Sequence, residues 1–477
     1  MKNNNLIILT LAFGMFLWSF SAGIVNISLP TISQFLDIST STVSLIIIVH
    51  LIVLISFLLI FGRVGDIVGY KKVFLSGISL FTLGAYFCGI SLDITSILIF
   101  RIVQGIGSAM LLSVTPAIIS VHLPQNMSGK IFGVISLTTT LGLSSGYGIG
   151  GLINEYGSWN WIFLVTVPLG ISVIILSAII LPESRKNKQK TNFDVIGAIL
   201  IFTTLLTLIL PLDIGQSMNW SLLETFLTLT ISLTSGIIFF AWESQHKDPL
   251  FDLSILKNTY IALSLISGFL AALVLNGSIF LLPFYFELII RYSSDFSGLI
   301  ILLPSLAFIF TGPLSGYISD RIGSRIPTIT AVISLIIAVI LLTLFNENIG
   351  MLFIFIALGI RAISEGMFTP ANNKLVMSYS TPEKRGSLSS LLNTARYLGL
   401  VMGVVVFNSI FNYTINIETA EILGVPLNGA YQFSAPTKIL LNGFHNAFIV
   451  GLVLCIIIFV FSILTREDRE IYEDKFN

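Results

Sequence analysis

Gly62-Arg63-Val64-Gly65-Asp66-Ile67-Val68-Gly69-Tyr70-Lys71-Lys72 is one of two copies of a glycine-bracketed acidic signature in this chain. The other is Gly316-Tyr317-Ile318-Ser319-Asp320-Arg321-Ile322-Gly323-Ser324-Arg325. In both, a glycine stands four residues before the aspartate and another three after it, with basic residues just beyond. Each copy lies between two apolar runs long enough to cross a bilayer, which takes about 20 apolar residues per helix. A short polar turn between spans, repeated in the same direction, implies a membrane protein built from two parallel halves.

The composition agrees. The 477 residues are 55% hydrophobic and 10% charged, with a mean hydropathy of +0.96; a soluble domain carries about a quarter charged residues. A formal net charge of +0 gives no electrostatic footprint for nucleic acid. Cys88 and Cys455 both fall in apolar runs without a pairing or ligand pattern, so they read as small core residues. The apolar stretch from Leu6 runs too long for a signal peptide and lacks a small-residue cleavage site, so it reads as an uncleaved first span. No Gly-rich loop ending in Lys-Ser/Thr is present, which excludes ATP as the direct energy source. No cofactor or metal is expected, and the chain does not read as an enzyme.

Fourteen apolar runs are centred near residues 17, 52, 82, 106, 140, 171, 202, 232, 272, 306, 336, 361, 398 and 453. With the N-terminus inside, nineteen of the 24 Lys and Arg fall in cytoplasmic segments. Only Arg291 and Lys438 fall outside, and Arg101, Arg361 and Arg396 lie within spans. The positive-inside rule then places both termini in the cytoplasm. Six spans form an N-terminal half (1–184), two extra spans a linker (185–258) and six a C-terminal half (259–477). The segment near 413–440 reads as the longest non-spanning piece. Asn26, at the end of the first span, and Asn276 in the ninth repeat at about the offset of the paired turns, and Arg101 in the fourth span is mirrored by Arg361 in the twelfth.

The paired signature resembles the loop between the second and third helices of the major facilitator superfamily. With its extra central pair, the chain resembles the 14-helix drug:proton antiporter branch. Further resemblances run in order along it: Gly23 to Pro30; Arg101-Ile-Val-Gln104-Gly105-Ile-Gly107; Gly142 to Gly151; Trp159 to Pro168; Phe193 to Gly197; and Asp248-Pro249-Leu250. Three positions depart from the branch. Ser21 stands where it commonly has an acid, Tyr147 where a proline follows Gly146, and Asn160 where Trp-x-Trp carries arginine. The resemblance implies an all-α integral membrane protein with the major facilitator fold, a secondary transporter whose substrate binds near mid-membrane between the halves. It further implies residence in the plasma membrane and function as a monomer, with a small molecule, protons and the lipid bilayer as its partners.

Individual residues sharpen the expectation. Glu365 reads as the only carboxylate well inside a span, with Arg361 one turn before it on the same face. Together with Arg101 they are the candidates for proton coupling; an arginine stays charged and acts on a neighbour rather than shuttling the proton itself. The alternative is a permanent salt bridge at Glu365 and a guanidinium satisfying backbone carbonyls at Arg101. Arg396, with no acid within a turn, reads as structural. Asn26, Trp18, Ser21, Gln104 and Asn276 are the substrate-cavity candidates. Phe13, Phe16, Phe20, Phe280, Phe284, Tyr285 and Phe286 are possible aromatic lining or plain core, and His50 a polar packing residue.

Gly62, Asp66, Gly69 and Lys71, with Gly316, Asp320, Arg321 and Gly323, are the candidate conformational gate. Their carboxylates would accept from a neighbouring helix N-terminus, and their glycines would allow close helix approach. Gly142, Gly146, Gly150 and Gly151 form a small-residue stripe that serves packing, an exporter-specific role, or both. The leading function is proton-coupled efflux of lipophilic drugs or toxic metabolites by alternating access. The alternatives are a proton-independent facilitator or organic-anion exporter, motivated by Ser21, and a non-transporting sensor or scaffold.

Overall fold

The computed structural model describes residues 2–123, 128–183, 194–217, 220–245, 256–379, 385–423 and 435–465. The flanks of the extra central pair at Phe193 and Asp248 to Leu250 lie outside the described residues. Helix is the regular structure throughout the description. In lipid no water satisfies backbone N–H and C=O groups, and a helix satisfies them within its own segment. Serine and threonine hydroxyls within these helices follow the same logic, donating to carbonyls one turn back, as Thr82 does to Ile78 and Ser177 to Val173.

The chain forms two compact units, Met1–Phe239 with Phe286–Leu302, and Phe240–Tyr285 with Leu303–Asn477. The first contains α1 (Lys2–Leu36), α2 (Thr40–Val68), α3 (Tyr70–Gly89), α4 (Ile94–His122), α5 (Ser128–Tyr156), α6 (Trp161–Leu164), α7 (Thr166–Ile180) and α8 (Val195–Ser217). α9 (Leu222–Gln245) begins in the first unit and ends in the second. The second holds α10 (Thr259–Phe284), α12 (Ala307–Ile322), α13 (Arg325–Thr343), α14 (Met351–Ser378), α15 (Arg385–Leu423) and α16 (Thr437–Leu464). α10 runs into a π-helical turn (Tyr285–Ile289) just after Pro283, which lacks the N–H that would continue the ladder. α11 (Ser294–Ser305) leads into α12 across a break that follows Pro304.

Among the described residues, twelve helices are long and apolar enough to cross a membrane. The fourteen expected from the sequence also include α5, rich in Gly, Ser and Thr, and α8, whose apolar stretch is Ile196–Ile209; neither is in that set. Two boundaries differ from the sequence reading. α1 continues through Pro30 to Leu36, so Asn26 sits inside the helix rather than at its end. α15 continues to Leu423, so the first eleven residues of the expected non-spanning piece, 413–423, are helical.

The same close pairing organises both units. In the first, α5 lies against α1. A Cβ on Gly142 would strike the Phe16 carbonyl, one on Gly146 would come 2.5 Å from the Phe20 carbonyl, and one on Gly150 would come 2.5 Å from Ile27. Gly151 faces elsewhere, against the backbone of Ser294. In the second, Gly399 and Gly403 of α15 meet the Phe269 and Leu273 carbonyls of α10, and Gly277 meets Phe407. Without a hydrophobic driving force between helices in lipid, such backbone-to-backbone approach is how they gain packing energy. Around the first pair, Leu11, Leu17, Phe74, Phe81 and Val114 form the apolar core.

Candidate functional site

The paired signatures form sharp reversals between antiparallel helices. Gly69 links α2 to α3 with φ 106° and Gly323 links α12 to α13 with φ 93°. An L side chain is strained in that region, so the second glycine of each signature is required by the backbone. The first glycines behave otherwise: a Cβ on Gly62 or Gly316 would meet nothing within 4 Å. Close approach falls instead at Gly65, whose Cβ would come 2.9 Å from Val114 of α4, and along the α5 stripe. Asp66 accepts from the Tyr70 hydroxyl at 2.6 Å, one turn on. Asp320 pairs with Lys374 of α14 at 2.6 Å, and the same ammonium donates to the Ser319 carbonyl at 2.7 Å. Lys71 lies 3.9 Å from the exposed Glu183, and the Arg321 guanidinium sits 4.5 Å over the Tyr317 ring.

Deep in the first unit, α4 turns Arg101 toward α2. Its Nε donates to the Ile46 carbonyl at 2.7 Å and its Nη1 to Gln104 Oε1 at 2.6 Å. Gln104 donates from Nε2 to the Ser21 hydroxyl of α1 at 3.4 Å, closing a chain of three polar side chains across α4 and α1. Ser108, one turn beyond Gln104, sits 3.2 Å from His50 Nε2. His50 therefore has a partner that sequence spacing did not reveal. Asn26 is buried, and its Oδ1 makes no hydrogen bond among the described residues. Trp18 is half-buried against the apolar core of this unit.

Deep in the second unit, α14 places Arg361 against α10. Its Nε donates to the Ser278 hydroxyl at 3.1 Å, its Nη2 to the Leu275 carbonyl at 2.7 Å, and its Nη1 faces Glu365 at 3.4 Å. The arginine side chain is 7% exposed and the glutamate 28%, so the carboxylate keeps contact with its surroundings while the guanidinium does not. Asn276 donates to the Leu400 carbonyl at 2.6 Å and so ties α10 to α15. Phe280, Phe284 and Tyr285 are fully buried, with Tyr285 donating to the Asn346 carbonyl and packing on Phe345 and Phe444. Those three are core residues, as the plainer reading had it.

The Major Facilitator Superfamily model matches residues 11–404. The chain belongs to the major facilitator superfamily. The riboflavin transporter RibZ of Clostridioides difficile is 28% identical over 86% of this chain and 89% of its own length. The multidrug resistance protein Stp of Mycobacterium tuberculosis is 24% identical over 85% of this chain and 75% of its own. The crystal structure of the human organic anion transporter MFSD10 superposes with a TM-score of 0.65 at 14% identity, covering 96% of this chain and 99% of that one. Membership makes this a multi-pass membrane transporter rather than an enzyme.

Within this major facilitator chain, sequence spacing paired Arg361 with Glu365 but missed their anchors on α10, because contacts between distant helices leave no mark in local periodicity. Tyr70 was accessible in principle, standing one helical turn after Asp66. Lys374 was not. Glu365 is also joined by other carboxylates within candidate spans, all nearer the ends; besides Asp320 they are Glu224 and Glu243 of Leu223–Gln245, Glu287 of Thr259–Ile289, Asp295 of Ser294–Ile322 and Glu418 of Leu391–Ala420. The helices run further than the apolar runs, which is why these were overlooked. Glu287 accepts from the Ser294 hydroxyl at 2.9 Å, and Glu418 from Asn442 at 3.0 Å. Arg396, expected to be structural, is exposed and makes no hydrogen bond or ion pair with a described residue.

Proposed function

We propose that this protein is a fourteen-helix secondary transporter that exports lipophilic compounds in exchange for protons by alternating access. It would reside in the plasma membrane with both termini cytoplasmic and work as a monomer. The observation that carries the reading is the Arg361–Glu365 pair, a carboxylate mid-way along a span, held 3.4 Å from a buried guanidinium. An ionisable side chain at that depth is costly to keep and marks a proton or substrate path. The carboxylate is the exchangeable partner: protonation releases Arg361, and deprotonation recaptures it. Asp66 and Asp320 at the two reversals would stabilise one conformer of the cycle. The name of the Mycobacterium tuberculosis relative, a multidrug resistance protein, supports efflux, and that of the Clostridioides difficile relative, a riboflavin transporter, extends the substrate class to planar heteroaromatics.

A second reading, transport without proton exchange, is favoured by one observation: Ser21 and Gln104, not a carboxylate, stand next to Arg101. Flux in proteoliposomes separates the two. The purified protein is expected to accumulate riboflavin or ethidium, above protein-free vesicles, under one orientation of an imposed pH gradient and not the other. Equilibration at the same rate under both orientations contradicts proton coupling and supports the second reading.

A further inference from the structure

The two buried arginines are matched in depth but not in charge. All three guanidinium nitrogens of Arg361 are engaged, one of them by a carboxylate. Arg101 is buried more deeply, at 3% exposure, and its two hydrogen bonds go to a neutral carbonyl and a neutral amide. Its Nη2 donates to nothing among the described residues, and none of its nitrogens forms an ion pair with a described carboxylate. This guanidinium lies at the α2–α4 seam, where His50 is 6% exposed and its Nε2 lies 3.2 Å from the Ser108 hydroxyl. The elements around this seam offer no compensating negative charge. α1 carries no acid, α2 and α4 carry none at this depth, and Lys71 and Lys72 of α3 lie at its first turn.

A buried cation without a counter-charge is expensive, and proteins retain one where a ligand completes it. A guanidinium nitrogen left free in a water-poor site is a donor shaped for carboxylate or another planar anion. We propose that Arg101 anchors a site for the anionic group of an organic substrate, a carboxylate, sulfonate or phosphate. Lipophilic compounds bearing one such group are then the preferred cargo. The inference rests on the reading of the chain as a transporter of lipophilic compounds, and it is independent of proton coupling.

The test is equilibrium binding to detergent-purified protein with no pH gradient, so its failure leaves the proton-coupling reading untouched. Pyrenebutyrate and its neutral amide share one apolar body and differ in the charged group. Wild type is expected to prefer the acid by about ten-fold or more, the size of one charge-assisted hydrogen bond. Arg101→Gln should abolish the preference and Arg101→Lys retain part of it. Ser21→Asp supplies an internal carboxylate to the Ser21–Gln104–Arg101 chain and should abolish the preference while the protein stays folded. A merely structural arginine would weaken acid and amide together and leave their ratio unchanged. Equal or absent binding of the two probes by wild type overturns the proposal, as does a preference that survives both Arg101→Gln and Ser21→Asp. So does its loss in excess phosphatidylglycerol, which would assign the site to a lipid headgroup.

Discussion

Gly146→Val is expected to prevent stable packing of the first unit. A Cβ at this position would sit 2.5 Å from the Phe20 carbonyl oxygen and 2.8 Å from the Ile24 nitrogen, both backbone atoms of α1. A flexible side chain can turn aside; a helix backbone moves only as a body, and here it is held by Gly142 and Gly150 on either side. Overpacking of a well-filled core costs about 1–3 kcal/mol and occasionally more, and two added methyl groups on Cβ place this site at the upper end. In a unit of this size 1 kcal/mol lowers the melting temperature by about 2–4 °C. Thermal unfolding in detergent should therefore show a loss of about 5 °C or more, or no folded protein at all. Gly62→Ala is the control, because open space surrounds that position and alanine favours helix by up to about 1 kcal/mol. Its melting temperature should stay the same or rise. Equal tolerance of both substitutions would contradict the close α1–α5 approach.

Glu365→Gln is expected to remove gradient-driven transport while leaving the fold intact. Glutamine matches glutamate in shape but holds no exchangeable proton at any pH of the experiment, so coupling is lost even where substrate still binds. The charge of Arg361 then remains, supported by the Ser278 hydroxyl and the Leu275 carbonyl alone. Breaking a fully buried pair costs about 3–5 kcal/mol. Glu365 is 28% exposed, so solvent screens part of that loss and the variant should still purify as a folded protein. Accumulation against a substrate gradient should fall by ten-fold or more, as expected when a required proton carrier is removed. Exchange of labelled for unlabelled substrate, which needs no proton, should persist. Loss of both activities together would indicate that the pair is a structural salt bridge instead.

The architecture was legible because membrane spans are written in runs of apolar residues, and because one motif occurs twice at matching places. Gly69 and Gly323 could be singled out from sequence, and the reason for them, a positive φ at each reversal, needed the backbone. The roles of Gly62 and Gly146 were harder to tell apart. Both are glycines within a helix, and only the position of the neighbouring helix shows that one faces open space and the other a backbone. The candidate site was legible in part for the same reason. Arg361 and Glu365 are one turn apart on one helix, so periodicity pairs them. Arg101 and Ser21 are joined through Gln104 across separate helices, and no spacing rule reaches that far. Span ends were the weakest element, since α1 and α15 remain helical beyond their apolar cores and carry Asn26 and Glu418 inside them.

The most direct test of proton exchange is proton movement driven by substrate alone. Vesicles containing the purified protein and loaded with pyranine would start at equal pH inside and out, and receive an outward or inward gradient of riboflavin, ethidium or pyrenebutyrate. The account predicts that at least one of these compounds moves protons in the direction opposite to its own flow, and that Glu365→Gln abolishes that signal. Substrate that crosses with no change in internal pH, or carries protons in its own direction, would contradict it.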